Sequence, residues 1–149
     1  MILSNKEVIV LWGKGDRGKT TTLKLLIEEL INLGAKKIDG GDSNLTNDIW
    51  AILEYKNKKI GIVTVGDDQQ SLKKYFDKLN NECDIYICAS RTKGISCDYI
   101  KTHFTDSVII WQEKLSITVE NKSVDLTRLQ DLANKAQVSV LIETIERYV

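Results

Sequence analysis

"GKGDRGKTTT", residues 13–22, lies between an apolar run, "EVIVLW" at residues 7–12, and an amphipathic one, "LKLLIEELI" at residues 23–31. Three glycines and three cations fall in the few positions where a strand gives way to a helix. Gly13, Gly18, Lys19 and Thr20 match G-x-x-x-x-G-K-[ST]. The flanks suit that pattern: a run apolar and β-branched enough for a strand buried on both faces, then Leu23, Leu26, Ile27, Leu30 and Ile31 at helical spacing, with Gly34 as a left-handed stop. Glycines at such a turn let backbone amides point inward around phosphate oxygens. Lys19 then reaches the terminal phosphates, the Thr20 hydroxyl is placed for Mg²⁺, and the helix dipole adds to the attraction. At average residue frequencies a chain this long meets the pattern by chance about once in two hundred. Gly13, Lys14, Gly15, Asp16, Arg17, Gly18, Lys19, Thr20 and Thr21 are therefore expected to hold a nucleoside triphosphate, ATP foremost, against the competing reading of a glycine-rich turn with solvated cations.

Outward from this loop, the chain reads as alternating strands and helices. "KKID" is a short second strand, followed by the polar loop "GGDSNLTND". "IWAILEYKNKKIGIVTV" holds two apolar runs around Lys56 to Lys59 and reads as an antiparallel hairpin, with a helix over Ile49 to Tyr55 as the alternative. Leu72, Tyr75, Phe76 and Leu79 mark an amphipathic helix, "DIYICAS" and "SVIIW" further buried strands with a helix near Ser96 to Phe104 between them. Leu126, Leu129, Ala133, Ala136, Val140, Ile145 and Tyr148 outline a long C-terminal helix that covers the sheet, broken once at most. The expected fold is α/β: one domain over residues 1–149, a three-layer sandwich with a mostly parallel sheet, the loop between its first strand and first helix, and one antiparallel hairpin.

Composition narrows the function classes. Among 149 residues, 21 are basic and 21 acidic, so a broad surface for nucleic acid is not indicated. Cys83, Cys88 and Cys97 are odd in number and form no C-x-x-C pair, which suits reduced thiols. No apolar run approaches the ~20 residues that span a bilayer, and the N-terminus lacks a signal-peptide cleavage pattern, so a cytoplasmic protein is expected. Proline is absent, which leaves glycine and asparagine as punctuation.

Residues 13–20 resemble the phosphate loop of the P-loop NTPase superfamily; the likeness covers the first 33 residues in sequence and the remainder in architecture only. "KGDRGKTTT", residues 14–22, is further similar to the deviant Walker A loop, KGGxGKT[ST], of the ParA/MinD-type ATPases and their nitrogenase-reductase relatives. That resemblance implies a nucleotide-sandwich homodimer in which Lys14 reaches the partner's phosphates. Asp16 departs from it, replacing the second glycine with a carboxylate that repels phosphate. The chain is also markedly shorter than those ATPases. "DGGDSNLT", residues 39–46, resembles the family's acidic segment, which implies Asp39 or Asp42 as the residue that orients water.

A metal anchor beyond Thr20 is expected at a strand end, where "IGIVTVGDD" offers Asp67 and Asp68, Asp67 being the better placed; an N-cap is its alternative role. Arg91 and Lys93 in "SRTKG" follow a strand and would sit on the rim where α/β sheets bind ligands, as phosphate contacts or as solvated loop. His103 has no ligand-spaced partner and reads as a surface or helix-end residue, and Trp12 as core or as a base-pocket wall. The catalytic candidates are thus Lys19, Lys14, Asp42 and Arg91. The expected activity is Mg²⁺-dependent binding and slow hydrolysis of ATP or another triphosphate as a molecular switch, with nucleotide-dependent dimerisation. A small kinase acting on a nucleotide or other acceptor, and a binding domain without catalysis, are the alternatives.

Overall fold

The structure is a computed structural model that describes residues 3–15, 18–42, 48–66, 69–91 and 95–149, with the backbone alone at Asp42 and residues 95–97. In chain order the elements are β1 (Leu3–Ser4), β2 (Glu7–Trp12), α1 (Lys19–Asn32), β3 (Lys36–Asp42), β4 (Ile49–Tyr55) and β5 (Lys58–Val63). They continue with α2 (Gln69–Lys78), β6 (Ile85–Ser90), α3 (Ile95–His103), β7 (Phe104–Thr105), β8 (Val108–Glu113) and α4 (Thr127–Glu146). Six strands form one sheet in the order β3-β4-β5-β6-β2-β8. β2 pairs in parallel with β6 and β8, and β5 in parallel with β6, whereas β3 with β4 and β4 with β5 are antiparallel. The fold is therefore α/β with a mixed sheet. β1 and β7 add a separate two-residue parallel ladder that the sequence pattern did not suggest.

The central strand β2 is apolar at each position from Val8 to Trp12 because both faces are covered. Val8, Ile9, Val10 and Leu11 of β2 are all fully buried, and they alternate between two clusters. Ile9 and Leu11 pack with Leu23, Leu26 and Leu30 of α1 and with Val138, Leu141 and Ile145 of α4. Val8 and Val10 pack with Leu72, Tyr75 and Phe76 of α2 and with Ile100 of α3. Side chains of successive strand residues point to opposite faces, so the two clusters lie on opposite sides of the sheet. Each buried leucine contributes about 1.5–3 kcal/mol relative to exposure.

The hairpin is β4 and β5, joined by Lys56 and Asn57 with φ of 50° and 67°. Two left-handed residues make the turn whose twist matches the strands. Helix α1 ends as its glycine suggests: Gly34, at φ 109°, donates to the Ile31 carbonyl, and Ala35 donates to that of Leu30.

Four expectations are corrected. β3 does not stop at Asp39 but runs through Gly40 and Gly41, which act as close-approach residues: a β-carbon on Gly41 would lie 2.8 Å from the Trp50 indole nitrogen. "SVIIW" is a half-exposed edge strand rather than a buried one, with Val108 50% exposed, because β8 ends the sheet. Helix α4 is unbroken, and its buried face is Ala133, Asn134, Gln137, Val138, Leu141 and Ile145, which leaves Leu129, Ala136 and Val140 in solvent. The helix carries two apolar stripes, and α1 and the sheet take the one nearer its C-terminal end. His103 does end a helix, but it is buried and stacked on Phe76 at 5.3 Å, and desolvation lowers its pKa.

Candidate functional site

Because β5, β6, β2 and β8 run parallel and β3 runs the same way through two antiparallel steps, their carboxyl ends share one rim with the amino end of β4. Gly13 follows β2 on this rim, Asp48 precedes β4, Thr64 follows β5, Ser90 closes β6 and Lys114 follows β8. The ladders on both sides of β2 continue past its end: Gly13 N–H donates to the Ser90 carbonyl at 3.0 Å, and Lys114 N–H to that of Trp12 at 2.7 Å. The loop is thus tethered where it starts.

It is also shaped where it ends. Gly18 is the N-cap of α1 at φ 86°, ψ 21°, a conformation glycine adopts without the β-carbon penalty, and no side chain caps the helix. The first-turn amides of α1 therefore have no side-chain acceptor at the cap. Lys19, the first helical residue, is 93% buried; its ammonium donates to the carbonyls of Gly13 and, at 3.1 Å, of Lys14. The lysine is thus turned onto the first two carbonyls of the segment that leads to it. Thr22 hydroxyl donates back to the Gly18 carbonyl at 2.7 Å, which pins the turn.

Thr20 hydroxyl donates to Asp48 Oδ1 at 3.4 Å. The same oxygen accepts a 2.9 Å bond from the hydroxyl of buried Thr64, which in turn accepts from Ile49 N–H at 2.9 Å. One carboxylate is thereby held beside the start of α1 by the hairpin. From β6, Arg91 reaches the loop: a β-carbon on Gly15 would meet its Nη2 at 3.1 Å. On the other side of Gly18 lies a cavity of about 290 Å³, walled by Gly18, Thr21, Lys114, Ser116, Ile117 and Asn134 among others. Lys114 is 5% exposed, burial lowers its pKa, and its ammonium donates to the Leu115 carbonyl. Leu115 N–H is itself held by the Gln137 side chain at 2.6 Å.

Of the residues singled out from sequence, Gly13, Gly15, Gly18, Lys19, Thr20 and Arg91 come together around one loop, and Thr21 faces the cavity. Lys14 is exposed. Asp42 ends β3 on the same rim, paired with Ile49, while Asp39 is exposed and accepts from the Gly40 amide at 2.8 Å. Asp16, Arg17, Asp67, Asp68 and Lys93 lie outside the described residues. Sequence reasoning missed Asp48, Thr64, Lys114 and Asn134. Asp48 precedes the first strand of a hairpin, and only the antiparallel direction of that strand puts it on the same rim as Gly13 and Thr20.

Among the described residues, no group of three or more His, Cys, Asp or Glu side chains forms a metal cage, and no helix is long and apolar enough to cross a membrane. Compared with protein-family models, with curated proteins and with solved structures, the chain matches none, so the functional reading rests on the geometry of this rim.

Proposed function

We propose that the chain binds a nucleoside triphosphate, ATP foremost, with Mg²⁺ at the loop between β2 and α1 and hydrolyses it slowly as a molecular switch. In this reading the loop is a P-loop and the sheet, with α1 and α4 on one face and α2 and α3 on the other, is the middle layer of a three-layer sandwich. The observation that carries it is the meeting of Lys19, Thr20 and Asp48 at the uncapped amino end of α1. Amides and a helix dipole there favour an anion. Lys19 would exchange the carbonyls of Gly13 and Lys14 for phosphate oxygens, and Arg91 would neutralise charge beside Gly15 as the terminal phosphoanhydride opens to water.

Two oxygens at 3.4 Å, one hydroxyl and one carboxylate, fit Mg²⁺, which commonly takes one or two carboxylates and completes its shell with phosphates and waters. Thr20 and Asp48 would hold it, with Asp67 a further candidate, and the ion would supply positive charge against the phosphates. Exposed Lys14 is free of the loop interior, which suits contact with a second copy across bound nucleotide. Arg91 also suits phosphoryl transfer to a small acceptor; stimulation of turnover by an acceptor separates that reading from the switch.

The test is phosphate release from Mg-ATP by the purified protein, with Lys19→Ala as control and elution volume recorded with and without nucleotide. Lys19-dependent turnover with a nucleotide-dependent dimer is the expected result. Tight ATP binding by a monomer that releases no phosphate would overturn the switch and leave phosphoryl transfer or binding alone.

A further inference from the structure

The cavity beside Gly18 holds a polar group that the phosphate reading leaves without work. Asn134 of α4 is 93% buried, lines the cavity, and its carboxamide has no hydrogen-bond partner among the described residues. Among the described residues no buried side-chain nitrogen or oxygen lacks a hydrogen-bond partner, so the carboxamide is reached by solvent through the cavity, where a ligand can meet it. The carboxamide stands against the loop: a β-carbon on Gly18 would lie 3.1 Å from its Oδ1. Gly18 thus belongs both to the turn proposed to hold phosphate and to the wall of the cavity, which makes the cavity the adjoining space for the remainder of a phosphate ester.

Size and chemistry narrow that remainder. About 290 Å³ is at the lower end for small-molecule pockets, enough for one ring system with part of a sugar. Ile117 and Ala133 supply apolar wall for ring faces, and the carboxamide offers a donor and an acceptor side by side. That pair matches a nucleobase edge on which a donor and an acceptor are adjacent, as asparagine matches the N6 and N7 positions of adenine. We infer that this cavity is a nucleobase subsite and that Asn134 pairs with the edge of the base. The inference rests on the triphosphate reading for the identity of its ligand, but it assigns a different set of residues to a different part of that ligand.

The experiment compares Mg-ATP, Mg-GTP and Mg-tripolyphosphate by titration calorimetry on wild type, Asn134→Ala and Lys19→Ala. The expected result is that wild type binds one of the two nucleotides at least tenfold more tightly than tripolyphosphate. Asn134→Ala should lose about tenfold for that nucleotide while tripolyphosphate binding is unchanged, and Lys19→Ala should lose both. Equal affinity of wild type for tripolyphosphate and both nucleotides would overturn the subsite and spare the phosphate reading, as would an equal loss for all ligands in Asn134→Ala. No binding of any of the three would overturn both readings. A second measurement needs no variant: in wild-type protein the side-chain NH₂ resonances of Asn134 should shift with the nucleotide and stay in place with tripolyphosphate, and unmoved resonances in both titrations would overturn the subsite.

Discussion

The guanidinium of Arg91 lies over Gly15 so closely that a β-carbon on the glycine would stand 3.1 Å from Nη2 and 3.2 Å from Nε. The neighbour is the far end of a flexible side chain, so Gly15→Ala should displace Arg91 rather than the backbone. Stability should change by less than about 1 kcal/mol, while triphosphate affinity falls several-fold, as in Arg91→Ala. Thermal melts and calorimetry on the two single variants and the double variant test this; additive losses would show that the two residues act separately.

Asp48 is held by Thr64 and faces Thr20, which predicts a metal-dependent defect on its neutralisation. Asp48→Asn keeps an oxygen for the Thr64 hydroxyl and loses the charge. Affinity for ATP in the presence of Mg²⁺ should fall about tenfold, and affinity measured in EDTA should not fall. A loss of the same size in both conditions would remove Asp48 from the metal site.

Gly66 and Gly34 should respond differently to the same change. A β-carbon at Gly66 would lie 2.2 Å from the carbonyl oxygen of Ala89, a backbone atom that cannot step aside, whereas nothing stands within 4 Å at Gly34, whose φ is 109°. Gly66→Ala should cost more than about 2 kcal/mol, and Gly34→Ala about 1 kcal/mol from left-handed strain alone. Urea denaturation of both gives the ranking.

At the far end of the molecule, Glu146 accepts from Lys56 at 2.6 Å and from the Tyr55 hydroxyl at 2.5 Å, tying the hairpin turn to the last turn of α4. The Lys56 bond first, and the Tyr55 bond next, hold the Glu146 carboxyl below its ordinary 4.5. A depressed carboxyl stabilises the fold above its unfolded value and loses that contribution as pH falls through the folded one. The stability difference between wild type and Glu146→Gln should therefore be present at neutral pH and shrink as pH drops below 4.5, which melting curves across that range would show.

Cys83 is fully buried, and burial first, then the charges of Glu82 and Asp84, pushes its thiol up to about 12. Thiolate is the reactive form, so Cys83 should resist disulfide exchange reagents in folded protein near pH 8 and label at the unfolding rate. Buried Cys88 should behave alike. Mass spectrometry after timed labelling, with and without denaturant, reads both positions.

The strand–loop–helix unit around Gly13 to Thr20 was legible because its signal is local: apolar run, glycines at fixed spacing, helical periodicity. Asparagine as punctuation was legible too, since Asn5, Asn57, Asn80, Asn81 and Asn121 all take positive φ. What escaped was whatever depends on register or on partner choice. Gly40 and Gly41 look like loop until Trp50 is placed across from them, and α4 shows two apolar stripes between which only the sheet and α1 decide. Asp48 and Asn134 carry no motif of their own. Their roles come from elements far apart in the chain that meet at Gly18 and Thr20.

The placing of β2 has a consequence for how the chain folds. Val8 is hydrogen-bonded in register between Tyr86 and Ile109, both supplied much later in the chain. The β3–β4–β5 meander can form from contiguous residues, but the strand that presents the loop must wait for β6 and β8 to arrive. Long-range parallel pairing of this kind slows folding and closes late. During synthesis one of the first strands made is thus among the last to be seated, and a nascent chain released before Ile85 would carry an exposed run of Val8, Ile9, Val10 and Leu11 without either strand it pairs with.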